Sequence, residues 1–270
     1  MDEQNIGLSL SACIVNYGDP SEALKAAASV LEQTRRHPLA LFLVDNASPG
    51  EAGQALSRAA EDGTLRPGPG QTVRVICRKE NGGFGAGHNT VLPLLKSEFH
   101  FILNPDILLT EDALSGLAEW MAARPDVVMA RPELHFPSGE LQVLPLRRCR
   151  LLAIIYRQLP FLGFLKRYND AYTMADRDLT VPTEIEFCTG SFSAVRTEAF
   201  READGFDEGY FMYVEDADLT QKMRQKGKVY LVPEYQAVHE WHRAAHRSLR
   251  PLWWQLRSML RYFSKWGFRL

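Results

Sequence analysis

The chain has no run of about eighteen uncharged apolar residues, so no membrane-spanning helix is expected. It has no C-x-x-C pair: Cys13, Cys77, Cys149 and Cys188 are scattered, three of them among apolar neighbours. That argues against a cysteine zinc site or a disulfide framework and predicts buried, reduced thiols. The opening MDEQNIGLSL lacks a basic segment followed by a long apolar one, so no secretory leader is expected and a cytoplasmic location is. Neither charge dominates: 31 Lys and Arg face 33 Asp and Glu, net −2, which argues against a nucleic acid partner. Internal repeats and low-complexity linkers are absent. What is present is 270 residues, 46% hydrophobic, enough for the core of one large α/β domain.

The first 135 residues alternate strand and helix. Strands are expected over 9–17, 39–46, 72–77, 99–106 and 127–136, and helices over 21–33, capped by Ser21, then 51–62 and 111–123. A Gly-rich turn over 81–95 runs into a short helix interrupted at Pro93. Such alternation implies a mostly parallel sheet with right-handed crossovers. Residues 137–182 break the rhythm; within them Pro160 and Gly163 make one broken helix or a mobile insertion. A strand over 184–195, helices from Arg196 and from near Glu215 to Gly227, an extended run over 228–242 and a helix over 250–266 follow. The expected organisation is one domain over 1–240, with a donor half at about 8–135 and an acceptor half at about 136–240, and a helical extension over 241–270.

Carboxylates fall where strands end: Asp45 after LALFLV, Asp106 after FHFILNP, and Glu215, Asp216 and Asp218 in YFMYVEDADL. The carboxyl ends of strands form the ligand crevice of an open α/β sheet. Acids converging there imply a bound cation or a proton to be moved. Singly, Asp45-Asn46-Ala47-Ser48 and Asn104-Pro105-Asp106 are also good turns, and acids in a first helical turn suit the helix dipole. The stretch Asn81 to Asn89 needs close backbone approach or φ > 0 at its glycines. It follows the third strand and does not fit G-x-G-x-x-G, so it is no dinucleotide fingerprint; donor phosphate or sugar packing against it is one reading, a tight turn the other. His239, His242 and His246 lie close in sequence, but in extended chain His239 and His242 face opposite sides.

In this order, the segments at 14–17, 44–48, 80–89, 104–106 and 189–219, with His239, resemble family-2 inverting glycosyltransferases of the GT-A fold, most of all the rhamnosyltransferase-like branch that builds surface polysaccharides. The resemblance implies a GT-A-type mixed, mostly parallel sheet flanked by helices. It implies that Tyr17, Asp45 and Arg78 contact the donor base, with Asn46 and Ser48 beside them. Asn81, Gly83 and Asn89 would line the donor ribose, phosphates or sugar. Asp106 would ligate Mg²⁺ or Mn²⁺, Asn104 standing where the family has the first Asp of D-x-D. Asp216 would be the catalytic base, with Phe211, Tyr213 and Glu215 toward the acceptor, and His239 would reach the metal or diphosphate. The implied donor is a nucleotide-sugar, dTDP-rhamnose or a similar deoxysugar first and a UDP-sugar second. The implied acceptor is a saccharide or lipid-linked glycan. Rival readings are a nucleotidyltransferase and a non-catalytic carbohydrate-binding protein of the same fold.

Charge is unevenly placed. Residues 147–167 carry six basic residues and no acid, and after Glu240 every charged residue is basic. In the last helix Leu252, Leu256, Met259, Leu260 and Phe263 share one stripe, and Arg257, Arg261 and Lys265 form an i, i+4 ladder. Two expectations follow. Either this helix meets the inner face of the cell membrane or a lipid-diphosphate acceptor, or its stripe packs on the protein's own core or in a homodimer and the ladder is solvated.

Overall fold

The computed structural model describes residues 7–240 and 249–268. Its centre is a nine-stranded mixed sheet. The first half is parallel: β1 (Leu10–Asn16), β2 (Leu39–Asp45), β3 (Gln71–Cys77) and β4 (Phe99–Leu103) lie in the order β3-β2-β1-β4. Their register sets Asn16 opposite Asp45 and Asp45 opposite Cys77, so three chain ends emerge side by side. The sheet continues through β8 (Phe192–Arg196), antiparallel to β4, then β6 (Val127–His135), β9 (Lys228–His239) and β5 (Ile107–Leu108), with β7 (Thr183–Glu184) also on β9.

Every residue of β1 is buried because helices cover both sheet faces. Ala12 and Ile14 face one core layer, shared with Val30 of α1 (Ser21–Gln33), Leu56 of α2 (Ala52–Glu61) and Leu117 of α4 (Ala113–Ala122). Cys13 and Val15 face the other, shared with Phe200 of α7 (Thr197–Glu202) and Met223 of α8 (Glu215–Arg224). A third cluster joins Ala153 of α5 (Leu151–Gln158), Tyr172 of α6 (Lys166–Tyr172) and Tyr262 of α9 (Leu249–Trp266).

The structure corrects several expectations. Ser21 is the first residue of α1 rather than its cap; its N–H is taken by Asp19 Oδ1 at 3.0 Å. Helix α4 is capped by Asp112, whose Oδ1 accepts from Ser115 N. Residues 184–195 are strand only at their two ends. Between them the chain bonds outward, Glu186 N to the Leu146 carbonyl and Cys188 N to Thr220 Oγ1, which frees 189–191 to enter the site. The 147–167 stretch is a broken helix: α5, a 3₁₀ turn at Gly163–Leu165, then α6. Cys13, Cys149 and Cys188 are buried as expected, whereas Cys77, ending β3, is exposed. No helix among the described residues is long and apolar enough to cross a membrane. His242 and His246 lie outside the described residues.

Candidate active site

Where β1 and β2 end, side chains bind each other across the crevice. Asn16 Nδ2 donates to Ser48 Oγ at 3.3 Å, and lies 3.5 Å from Asp45 Oδ1. Ser48 N donates to Asp45 Oδ2, and Ser48 Oγ accepts from Gly18 N. Ala47 takes φ +59, so the Asp45–Ser48 turn is tight and folds back on its own carboxylate. Tyr17 stands exposed at its lip.

The Gly-rich segment joins this turn to the opposite half. Asn46 Nδ2 donates to Asn81 Oδ1 and to the Gly83 carbonyl, and Gly83 N donates to Asn81 Oδ1. Gly83 has φ +90, and a Cβ there would strike the Phe211 carbonyl. Gly85 meets Phe206 and Gly87 meets Val15 in the same way. The close approach that these glycines permit is therefore made by the protein's own loop and core.

Asn104 and Asp106 follow β4. Asn104 N donates to the Ser191 carbonyl, and Asp106 Oδ1 lies 3.3 Å from His239 Nε2. The pairing of Ile107 with His239 in the β5–β9 ladder brings them together. Gln142 fixes the imidazole. Its Nε2 donates to the His239 carbonyl at 2.7 Å, so its Oε1 must face His239 Nδ1, 2.9 Å away. Nδ1 therefore carries the proton, and Nε2 is the atom turned to Asp106. One carboxylate and one imidazole, both nearly buried, suit a divalent cation that completes its shell with water and diphosphate oxygens. Among the described residues there is no group of three or more potential metal-ligating side chains.

The three acids at the start of α8 separate. Tyr213 and Val214 just before them hold φ +68 and +69. For a β-branched residue that is an outlier, and such strain concentrates at functional sites. Asp216 accepts from Gly190 N at 2.9 Å and Ala217 N at 2.8 Å, and faces a cavity of about 340 Å³. Burial raises its pKa, against the pull of those backbone donors. Burial, with the charge of Asp216 beside it, pushes Glu215 up to about 8. Asp218 turns the other way, fully buried, and accepts from Tyr210 Oη, Lys265 Nζ and Trp266 Nε1. The Thr189–Ser191 segment connects the halves, since Gly190 holds Asp216 and Ser191 holds Asn104. A raised carboxylate thus faces a cavity, one short segment away from a carboxylate–imidazole pair.

Tyr17, Asp45, Asn46, Ser48, Asn81 and Gly83 come together at one end of the parallel strands, and Asn104, Asp106 and His239 at the next turn. Four expected site residues stand elsewhere. Asn89 spends its amide on Phe206 and Glu208 and lines a separate cleft of about 840 Å³ that contains none of Asp45, Asp106 or Asp216. The Arg78 guanidinium folds under α3 (Phe84–Asn89), on the Ala86 carbonyl and Thr90 Oγ1. Phe211 packs at a tilt against Trp254 with ring centroids 4.6 Å apart, and Glu215 is buried behind Asp216; of the three acceptor-side residues only Tyr213 lines the cavity. Gln142 lies in no motif, and Asn16 and Gly190, though inside the 14–17 and 189–219 segments, carry no signal that singles them out; long-range pairing makes all three part of the site.

The profile described as Glycosyl transferase family 2 matches residues 11–203. Rhamnosyltransferase WbbL of Escherichia coli (strain K12) is 26% identical over 196 residues, 68% of this chain and 70% of its own. The N-acetylglucosaminyl-diphospho-decaprenol L-rhamnosyltransferase of Mycobacterium tuberculosis is 25% identical over 245 residues, 85% of this chain and 75% of its own. Among solved structures, mannosyltransferase PcManGT from Pyrobaculum calidifontis, in complex with GDP-Man and Mn²⁺, superposes with a TM-score of 0.62 at 16% identity, covering 95% of this chain and 63% of its own. GalNAc-T7 with UDP, GalNAc and Mn²⁺ gives 0.68 at 15% identity, covering 98% of this chain and 49% of its own. The chain spans less than two thirds of either structure, and the fold they share with it is the GT-A fold of glycosyltransferases. With the profile covering residues 11–203, the chain belongs to glycosyl transferase family 2.

Proposed function

We propose that the protein is an inverting, metal-dependent glycosyltransferase of surface polysaccharide biosynthesis. It moves a deoxysugar from a dTDP-sugar such as dTDP-rhamnose to a hydroxyl of a lipid-linked glycan. The observation that carries this reading is Asp216, a cavity-facing carboxylate with a raised pKa, linked through Gly190 and Ser191 to the Asn104–Asp106 turn. The two rhamnosyltransferase relatives favour the deoxysugar, and the mycobacterial one, by its name, a diphospho-decaprenol acceptor.

In this reading Tyr17, Asp45, Asn46 and Ser48 bind the nucleoside, and Asn81 with Gly83 borders the phosphates and sugar. Asp106 and His239 would hold a divalent cation, Mn²⁺ or Mg²⁺, which when bound would supply positive charge against the departing diphosphate. Asp216 takes the proton from the acceptor hydroxyl. Attack from the face opposite the leaving diphosphate inverts the anomeric carbon. A raised pKa makes Asp216 a better base than a solvated carboxylate.

The test is incubation with dTDP-, UDP- and GDP-sugars, Mn²⁺ and a polyprenyl-diphosphate-linked saccharide, with product analysis. Release of dTDP together with a glycan longer by one inverted sugar is expected. Release of pyrophosphate would instead mark a nucleotidyltransferase, and the absence of turnover with every donor would favour a carbohydrate-binding protein.

A further inference from the structure

Helix α9 divides its large side chains between two directions. Trp254 packs at a tilt against Phe211, and Tyr262, Phe263 and Trp266 pack in the cluster shared with α5 and α6. Trp253, Leu256 and Leu260, at i, i+3 and i+7 on one face, stay 57%, 53% and 73% exposed. Among the described residues this face is left exposed, whereas Phe263 of the expected stripe packs in that cluster, so the protein's own core takes up only part of the stripe. The turn between α5 and α6 behaves alike, with Phe161 78% and Phe164 74% exposed. The two elements flank one opening: Ile154 and Arg157 of α5 and Gln255 and Met259 of α9 all line the cavity that holds Asp216.

The charge around these residues is positive. Part of it is internally matched: Arg261 and Lys265 pair with Asp207, Arg147 with Asp176 and Lys166 with Asp170. The expected free ladder on α9 is thus largely neutralised by the protein itself. Among the described residues, Arg150, Arg167 and Arg257 contact no carboxylate, and Arg257 lies over the Trp253 ring at 5.6 Å. A second copy of the chain is a poor cover for such a face, because a two-fold interface sets like against like and would leave the arginines unmatched. Apolar side chains standing out among unmatched arginines fit the interface of a bilayer with anionic headgroups, where the rings and aliphatic chains enter the acyl boundary and the arginines meet phosphates.

We propose that the exposed face of α9 and the Phe161–Phe164 turn dock on an anionic lipid bilayer, with the mouth of the Asp216 cavity beside the membrane. The docking stands on exposure and charge alone. Its consequence, that a lipid-linked acceptor reaches Asp216 without leaving the bilayer, rests on the function proposed above.

The full chain is tested by co-sedimentation with vesicles of phosphatidylcholine alone and of phosphatidylcholine with phosphatidylglycerol, without donor or acceptor. Sedimentation with the anionic vesicles only, weakening as salt rises, is expected. Leu256→Glu with Leu260→Glu, and separately Phe161→Ser with Phe164→Ser, should each lower vesicle affinity by about tenfold or more. Their melting temperatures should stay within a few degrees of the parent. No sedimentation at low salt, or sedimentation that neither pair alters, would overturn the proposal. So would a dimer seen by light scattering that Leu256→Glu with Leu260→Glu dissolves, which would assign the face to a second copy. Vesicle binding by a protein without any transfer activity would leave the docking standing and reject only the catalytic reading.

Discussion

Asp216 and Glu215 are adjacent in sequence, yet the structure gives them different work. Asp216→Asn keeps the shape and the hydrogen bond from Gly190 but removes the proposed base. Transfer should fall by about 10²–10⁴-fold, while donor affinity, read by calorimetry, stays within about twofold. A variant with a tenth of wild-type turnover would show that the proton leaves by another route. Glu215 is the stability partner of the pair. Its folded pKa of about 8 lies above the usual 4.5, so the folded state holds the proton more tightly than the unfolded one. Its stabilising contribution is present below pH 4.5 and is lost as pH rises toward 8. Glu215→Gln should therefore flatten the fall in melting temperature across that window, and an unchanged slope would mean Glu215 is not the group responsible. Asp45 and Asp106 were legible as acids at or just past strand ends because apolar runs of strand length lead into them. The fold places Asn89 in a separate cleft, which sequence does not reveal, because an Asn in a Gly-rich segment looks alike whether its amide meets a ligand or, as here, the backbone of Phe206 117 residues away.

Two elements position the site from outside it. The first is the segment after β6 that carries Gln142, whose amide bridges the carbonyl and Nδ1 of His239. Gln142→Ala frees the imidazole to turn and to change tautomer. Mn²⁺ affinity, measured by electron paramagnetic resonance with dTDP present, should weaken by about 10–100-fold; an unaltered affinity would remove His239 from the metal. The second is α9. Asp218 takes hydrogen bonds from Lys265 and Trp266, Ser258 Oγ donates to the Met212 carbonyl, and Phe211 lies on Trp254, so this helix grips the strained loop that leads into α8. Asp218→Ala leaves a half-buried indole N–H and the buried Tyr210 hydroxyl unpaired and should cost about 3 kcal/mol in urea unfolding. A loss below about 1 kcal/mol would mean that α9 is held by packing alone. The element types were readable from periodicity, β1 to β4 and α9 included. The role of α9 was not: its helical period gave a stripe through Leu256, Leu260 and Phe263, but of these only Phe263 joins the packed cluster, beside Tyr262 and Trp266. A helical wheel ranks faces by apolarity, and a large ring with a polar edge such as Trp266 can outweigh leucines when a buried carboxylate, here Asp218, awaits it.

At the scale of the whole molecule, the proposed donor and metal sites lie where the parallel and antiparallel halves of the sheet meet, so ligand binding there should stabilise the entire fold. At about a hundred times the dissociation constant, a ligand that binds only the folded chain adds about 2.7 kcal/mol. dTDP-rhamnose with Mn²⁺ should therefore raise the melting temperature more than either alone. Asp106→Ala should abolish the Mn²⁺-dependent part and keep the dTDP part, and a full metal response in that variant would place the cation elsewhere. The sequence alone determined the α/β class, the order of the strands along the chain, the strand-end carboxylates and the family, because each is written in local periodicity or in short ordered motifs. Tertiary structure decided which glycines serve the chain's own packing, which of three neighbouring acids faces the cavity, that Gln142 meets His239, and which face of α9 is left outside. Those outcomes depend on pairings between residues from 20 to more than 100 positions apart, and no local pattern encodes which long-range partner arrives.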